Sequence, residues 1–237
     1  MNVSKAFRII TLLVMFGLSV VAYGDAIVGE TMVTISGRVG LPGGEEGSLI
    51  PFNGNMPVTS DPQGGVGVIA NGQLSFFIGT PATLGPLESA LEEVVRGWGN
   101  VTISIPAATG AMLVLRTPEP GMALRRVYSG GAAMSRWEGG IYYIFVDRDV
   151  TITANRRIEN ISQHDGWEYI VDYRAFNITL RTGWNAIRRS GSNSAGEDNP
   201  QDFMVFRLSL ATADEIEPTW AGARWAYVHD DELRHWF

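Results

Sequence analysis

The residues best suited to bind a metal lie near the end of the chain, where two of the three histidines stand among carboxylates. The segment His229–His235 reads HDDELRH. Zinc-binding helices place two histidines four residues apart, in the pattern H-E-x-x-H, whereas these two are six apart. Asp231 and His235 do have the i, i+4 relation that puts two ligands on one helix face. They are the candidate metal ligands, and a solvated polar segment is the alternative.

A second group of carboxylates could serve glycoside hydrolysis, which needs two carboxyl groups. Asp147 and Asp149 flank Arg148 between two predicted strands, and the segment Asp230–Glu232 offers further acidic groups. The alternative for Asp147 and Asp149 is structural, because aspartates at a hairpin tip are typical turn formers with local ion pairs.

The motifs that carry enzymatic or cofactor chemistry are missing. His164, with Ser162 and Asp165 nearby, lacks the G-x-S-x-G elbow of a serine hydrolase. The segment Asp198–Asp202 has oxygen ligands of the kind that calcium prefers, but the chain has no D-x-[DN]-x-[DN]-G loop. No phosphate-binding glycine motif occurs, and the absence of cysteine excludes thiol catalysis. The sequence therefore predicts no cofactor and favours a protein that is not an enzyme.

Tryptophan offers binding chemistry of another kind. The chain has seven tryptophans, and an exposed aromatic face is a platform on which a sugar can bind. The candidate ligand-binding residues are Trp167, Trp184, Trp220 and Trp225. Because aromatic side chains also fill β-sheet cores, buried packing is the alternative. The predicted partner is a glycan or an envelope protein, and the oligomeric state is left open.

Residues 1–24 predict an export signal. Lys5 and Arg8 precede the uncharged apolar run Ile9–Val21, and Ala22-Tyr23-Gly24 places small residues where signal peptidase requires them. We expect cleavage before Asp25. A membrane-spanning helix needs about 20 apolar residues, and no segment of the chain reaches that length, so we expect no transmembrane helix in the mature chain. Without cysteine there is no lipid anchor, and the expected location is the periplasm, the cell surface or the exterior of a bacterium.

Composition predicts a mainly β chain and excludes nucleic acid as a partner. Charged residues make up 18% of the chain, and 28 of its 237 residues are glycine, which suits a β-rich fold with many turns. The net charge is −7, and an acidic surface repels phosphate backbones.

The expected architecture is one or more antiparallel β-sandwiches with one short helix near residues 86–96. We expect residues 25–108 to form an N-terminal sandwich-like region and residues 109–237 a C-terminal β-rich region. The alternative is that the two regions form one continuous domain. Glycine-rich composition predicts a long loop or a series of tight turns at Gly40–Gly67 and a surface loop at Arg189–Asp202, and Asn71-Gly72 predicts a type I′ hairpin. The strand candidates are Thr31–Val39, Val66–Ile69, Leu74–Ile78, Val101–Ile105, Met112–Arg116, Leu124–Tyr128, Ile141–Val146, Val150–Ala154, Trp167–Tyr173, Phe176–Leu180, Phe203–Leu210 and Arg224–His229.

Two stretches resemble known exported β proteins. VTISGRV (Val33–Val39), Thr59-Ser60-Asp61 and NGQLSFFIGTP (Asn71–Pro81) resemble the transthyretin-like or carboxypeptidase-regulatory-like β-sandwich. The pairing of Ile141–Ala154 with Phe176–Ile187 is similar to segments of uncharacterised exported bacterial β proteins. Both resemblances imply a non-catalytic envelope module, and neither supplies site residues.

Three functional hypotheses follow. The first is a non-catalytic exported β-rich module of a bacterial envelope with a structural, adhesive or ligand-binding role. The second is an exported hydrolase that acts on glycans through paired carboxylates. The third is a small outer-membrane β-barrel, suggested by the terminal Phe237, although alternate residues before it include His235 and Asp231, which do not suit a lipid-facing surface.

Overall fold

The computed structural model describes residues 28–40, 55–62, 64–120, 122–132, 135–164, 167–195, 203–212 and 224–229. Within these ranges the chain is mainly β with one short helix, as predicted. In chain order the elements are β1 (Val28–Glu30), β2 (Val33–Gly40), β3 (Asn55–Asp61), β4 (Gly65–Ala70), β5 (Gln73–Ile78), β6 (Gly85–Pro86), α1 (Leu87–Leu91), β7 (Val101–Ile103), β8 (Thr109–Met112), β9 (Val114–Arg116), β10 (Met122–Ala132), β11 (Ser135–Val146), β12 (Val150–Ala154), β13 (Arg157–His164), β14 (Trp167–Tyr173), β15 (Phe176–Leu180), β16 (Gly183–Ala195), β17 (Phe203–Thr212) and β18 (Arg224–His229). Among these residues, no helix has the length and apolar character needed to cross a membrane.

Seven strands of the large sheet close on themselves. They follow the order β10-β18-β2-β5-β4-β3-β9, and β9 returns to pair with β10 at Leu115↔Leu124. The β18–β2 pair is parallel, and the other pairs of this ring are antiparallel. The predicted sandwich therefore needs correction here, because the sheet forms a closed barrel. Closure gives the strands of the ring partners on both sides, which removes exposed edges.

The same sheet continues beyond the ring. From β10 it runs through β11, β16, β17 and β14 to β13, and β14 pairs with β17 in parallel. A second sheet of three strands, in the order β15-β12-β7, lies against this extension. Because β7 pairs with β12, strand pairing crosses the predicted division at residue 108.

Two hydrophobic cores share the wall formed by β11 and β16. Along β11, Ile141, Tyr143 and Phe145 belong to the core inside the ring. The intervening Tyr142, Ile144 and Val146 belong to the core between the extension and the three-stranded sheet. This alternation follows from the two-residue repeat of a strand. Because both faces of β11 are buried, its apolar run is continuous.

Local signals predicted several elements well. β2 buries Val33 and Ile35 and exposes Thr34, as the alternation indicates. Asn71 and Gly72 have φ of 51° and 72°, the positive values that a type I′ turn requires. The predicted helix begins at Leu87 but ends at Leu91, and turns continue to Gly97.

Each segment predicted as loop or turns contains a strand, so the predictions were wrong over those strands, while residues 41–54 and 196–202 lie outside the described ranges. β3 lies within Gly40–Gly67, and β16 runs through the polar segment Arg189–Ala195. β16 pairs with β11 on one side and with β17 on the other. Pairing on both sides stabilises a strand whose own residues have low β propensity, because that propensity depends strongly on context.

Close packing at the start of β16 requires a glycine. Gly183 has φ of 112°, and an added Cβ would lie 2.7 Å from the carbonyl oxygen of Glu30. This approach brings β1 against β16, where Glu30 pairs with Trp184.

We expect Gly183→Ala to lower the free energy of unfolding by about 1–3 kcal/mol, because it combines a strained φ with a steric clash. Urea denaturation would measure the change. Gly85→Ala is the matched control, since an added Cβ at Gly85 meets nothing within 4 Å. The control should change stability by less than about 0.5 kcal/mol. Equal effects of the two substitutions would contradict this account.

Candidate functional site

A largely buried ion pair connects β10 to the turns after α1. Nη2 of Arg125 lies 2.8 Å from Oε1 of Glu93, and the two side chains are 8% and 22% exposed. The Arg125 guanidinium also lies over the ring of Tyr142, 4.6 Å from its centroid. Burial lowers the pKa of Arg125, and the neighbouring Glu93 carboxylate opposes that shift. The ion pair thus helps to keep a buried cation charged.

A second buried arginine holds the same turns through their backbone. Arg189 of β16 donates from Nη1 to the Glu93 carbonyl at 2.8 Å and from Nη2 to the Arg96 carbonyl at 3.2 Å. Its guanidinium lies 5.4 Å from the ring centroid of Trp98. Burial, followed by the charge of Arg125, lowers the pKa of Arg189 to about 10, so the side chain stays protonated at neutral pH. We call Arg125, Arg189 and Glu93 the arginine cluster.

Next to the arginine cluster, β10 and β11 separate. They pair from Arg126↔Ile141 to the hairpin end, but β10 then turns to β9 and β11 to β8. Leu113, which joins β8 to β9, donates its N–H to the Tyr143 carbonyl at 2.9 Å. We call this separation the fork. Because the sheet is open there, residues from both of its faces approach one space.

A half-open cavity of about 40 Å³ lies at the fork. Its walls are mainly apolar, and polar side chains from both faces of the sheet contribute to them. The lining residues are Glu93, Met112, Leu113, Val114, Leu115, Leu124, Arg125, Arg126, Ile141, Tyr142, Tyr143 and Trp225.

Two polar atoms of the lining residues stand out. Nε1 of Trp225 and the hydroxyl of Tyr142 are buried and have no hydrogen-bond partner among the residues that the structure describes. Buried polar groups in native proteins are nearly always hydrogen-bonded, so each exception calls for an explanation. The indole N–H can only donate, whereas the phenol can donate or accept. The fork cavity is therefore the candidate functional site.

The sequence-predicted tryptophans that the structure describes are core residues. Trp184 is fully buried and donates from Nε1 to the Gly79 carbonyl at 2.9 Å. Trp225 is 2% exposed and stacks on Tyr143 with centroids 6.0 Å apart. Neither ring is available to a ligand on the protein surface. Trp167 begins β14, but its side chain lies outside the description.

The remaining candidates fall on residues outside the described ranges. They are Trp220, Asp231, His235, Asp165 and the segments Asp198–Asp202 and Asp230–Glu232. Ser162 and His164 lie on β13, with side chains that are likewise not described. Over the part of the chain that is described, no group of three or more His, Asp or Glu side chains is arranged to hold a metal ion.

Asp147 and Asp149 are both engaged in structural bonds. Asp147 accepts from Nη2 of Arg148 at 2.6 Å and from the Thr109 N–H at 2.9 Å. Asp149 accepts from the Thr182 N–H and from Nη1 of Arg181, each at 2.8 Å. These bonds lower the pKa of each carboxyl to about 2. A glycosidase acid needs a raised pKa, so neither aspartate suits that role.

Reasoning from the sequence did not single out the fork. The available signal was Arg125-Arg126, two charges inside the otherwise apolar strand segment ALRRVY. Charged residues are almost never fully buried unless they are paired, so such a placement indicates a partner. The sequence does not indicate that Arg189 is buried, because Arg189 opens a segment that is predicted to be a surface loop.

Comparison with known proteins gives no relative. No family model matches the chain, and neither a curated protein nor a solved structure matches it. What the protein does is therefore inferred from the chain's own chemistry.

The ion pair of the arginine cluster should be strongly coupled. We expect Glu93→Gln and Arg125→Met each to lower the free energy of unfolding by about 3 kcal/mol, because each leaves a buried polar group without this partner. The double variant should lose less than the sum, with a coupling energy above about 1 kcal/mol. Urea denaturation of all four proteins measures this double-mutant cycle.

An exposed ion pair supplies the control. Arg157 and Glu159 approach to 3.1 Å with side chains 43% and 41% exposed. Their cycle, with Arg157→Met and Glu159→Gln, should give a coupling below about 1 kcal/mol. A buried pair that couples no more strongly than this one would contradict its assigned role.

Proposed function

We propose that the chain is a non-catalytic, exported β-rich module of a bacterial envelope. The observation that carries this proposal is the state of Asp147 and Asp149. The hydrolase hypothesis offers them as candidate carboxylates, beside the segment Asp230–Glu232, which lies outside the described residues. Each of the two is held ionised by an arginine and a backbone N–H. Their bonds tie together neighbouring elements, which is a structural role.

The outer face of the ring supports a module surrounded by water. On β2, Thr34, Ser36 and Arg38 are exposed, while the residues between them face the core or are partly buried. On β5, Gln73 and Ser75 are exposed in the same way, and Phe77 is the apolar side chain that shares their face. The outer-membrane hypothesis requires the reverse, a continuous band of apolar side chains facing outward.

Between the two predicted partner classes, a protein of the envelope is favoured over a glycan. Met32, Val66 and Phe77 are exposed apolar side chains, and Val66 and Phe77 pair directly across β4 and β5. A contiguous exposed apolar patch is typical of a protein contact. Trp184 and Trp225 are buried, so the sugar-binding hypothesis retains only Trp167 and Trp220 of its four residues.

Export is tested by following the chain in a bacterium. We expect the full-length chain to be recovered from the periplasm or the medium with an N-terminus at Asp25, because small residues precede that position. N-terminal sequencing and the intact mass would identify the cleavage site. Val14→Glu puts a charge into the apolar run and should leave the uncleaved chain in the cytoplasm, while Val14→Leu, which keeps that run apolar, serves as control. An uncleaved chain that stays in the cytoplasm without substitution would refute the proposal.

Because Asp147 and Asp149 make their structural bonds as ionised carboxylates, the stability of the folded protein should fall at acid pH. Their pKa is about 2 in the folded protein and about 3.9 in an unfolded chain. Because folding lowers the pKa, the stabilisation is complete above pH about 4 and is lost as the pH falls toward 2. Asp147→Asn and Asp149→Asn should each reduce stability at pH 7 and flatten its decline between these pH values, measured by urea denaturation.

Asp61→Asn is the control, because Asp61 is an exposed aspartate at the end of β3. It should leave the stability at pH 7 close to that of the unsubstituted protein. If Asp147→Asn or Asp149→Asn instead abolished hydrolysis of a glycan by the wild-type chain, the non-catalytic proposal would fail.

A further inference from the structure

We propose that the outer face of β2, β5, β4 and β3 is the contact surface of a symmetric dimer of this chain. This face carries the apolar patch that the proposed function assigns to a protein contact, so the dimer rests on that proposal and makes the partner a second copy. Met32, Val66 and Phe77 form the patch and are 63%, 71% and 45% exposed. Exposed apolar side chains that are grouped in this way mark an interaction surface.

Strand register places the patch along one diagonal of the face. Outward side chains of the four strands form two central rows, Thr34-Phe77-Val66-Thr59 and Ser36-Ser75-Val68-Pro57. Met32 lies just beyond the first row, where its Cγ is 4.0 Å from the position of a Cβ added at Gly79. Met32, Phe77 and the partly exposed Val68 therefore follow a diagonal from the start of β2 toward β3, with Val66 beside it.

Two opposite charges stand at the ends of the other diagonal. Arg38 lies near the end of β2, opposite Gln73 of β5, and Asp61 ends β3 at the far corner of the face. Both residues are exposed, and among the described residues neither side chain has an ion-pair partner. Arg116 of β9, which pairs with Thr59 next to this face, is already engaged within the chain.

A twofold axis makes this face complementary to itself. In a symmetric dimer the same surface is used by both copies, so each residue faces a position on an identical surface. An axis along the apolar diagonal brings Met32, Phe77 and Val68 against the same three residues of the second copy. The same rotation exchanges the two charged corners, so Arg38 of each copy lies opposite Asp61 of the other. The strands of the two copies then cross steeply, as in the orthogonal packing of two sheets.

The size of the face predicts a weak dimer. Four strands with four outward residues along each cover about 15 Å across the strands and about 20 Å along them. This area is well below the roughly 800 Å² per partner of a standard interface. Interfaces of this size belong to transient assemblies, so we expect the dimer to dissociate in the micromolar range.

Analytical ultracentrifugation of the purified chain, from micromolar to millimolar concentration, tests the proposal. We expect a reversible equilibrium between monomer and dimer without larger species, because a twofold contact closes on itself. Val66→Glu puts a carboxylate of each copy into the apolar contact and should leave the chain monomeric over this range. Ile158→Glu is the matched control, since Ile158 is 56% exposed on β13, outside the face, and it should leave the dimer unchanged. Circular dichroism verifies that both variants fold.

Charge reversal tests the orientation of the two copies. Arg38→Glu and Asp61→Arg should each weaken the dimer about tenfold, because each sets like charges opposite one another at two places. The double variant, Arg38→Glu with Asp61→Arg, restores opposite charges and should associate nearly as tightly as the unsubstituted chain.

Three results would overturn the proposal. A chain that stays monomeric at every concentration makes no contact with itself, and its patch then serves a different protein. A dimer that survives Val66→Glu forms through another surface. A double variant as weak as the single ones excludes the pairing of Arg38 with Asp61. None of these results bears on export, which N-terminal sequencing tests separately.

Discussion

The pairing of β11 with β16 is the constraint on which the rest of the structure depends. Ten successive residue pairs, from Trp137↔Ser192 to Val146↔Gly183, join the two strands. Their inward side chains on one face complete the ring core, and those on the other face complete the second core. A slip of one residue would exchange the two sets. Both cores therefore specify the same register, which gives a long, partly polar strand its fixed position.

The fork is a consequence of that constraint. β10 closes the ring by pairing with β9, whereas β11 must stay with β16 and takes β8 on its other side. Because β10 and β11 pair with different neighbours here, they separate, and the sheet opens between them. Buried arginines border this opening, where Arg125 and Arg189 hold the turns after α1. One ion pair from Arg125 and two hydrogen bonds from Arg189 to backbone carbonyls hold the turns against the sheet.

Local patterns predicted the elements but not their closure. β12, β14, β15 and β18 begin and end at the predicted residues, because alternation and turn residues determine them locally. The ring depends on pairs such as the parallel contact Trp225↔Val39. Such pairs join segments that are distant in sequence, and the residues of one segment do not indicate which other segment it will pair with. Strand β16 shows the same limit, since its polar second half is a strand only because two neighbours flank it. The fork cavity could not be predicted for the same reason.

The tryptophans show what the sequence could and could not indicate about the candidate site. Trp98 and Trp184 each bury an indole and donate the N–H to a backbone carbonyl, of Arg174 at 2.7 Å and of Gly79 at 2.9 Å. That is the usual solution for a tryptophan in a core. Trp225 is equally buried but has no such acceptor among the described residues. Residue type indicated binding chemistry at Trp225, and only the surroundings separate it from Trp184. Trp225 thus keeps a donor without an acceptor among the described residues, beside the opening that β10 and β11 create.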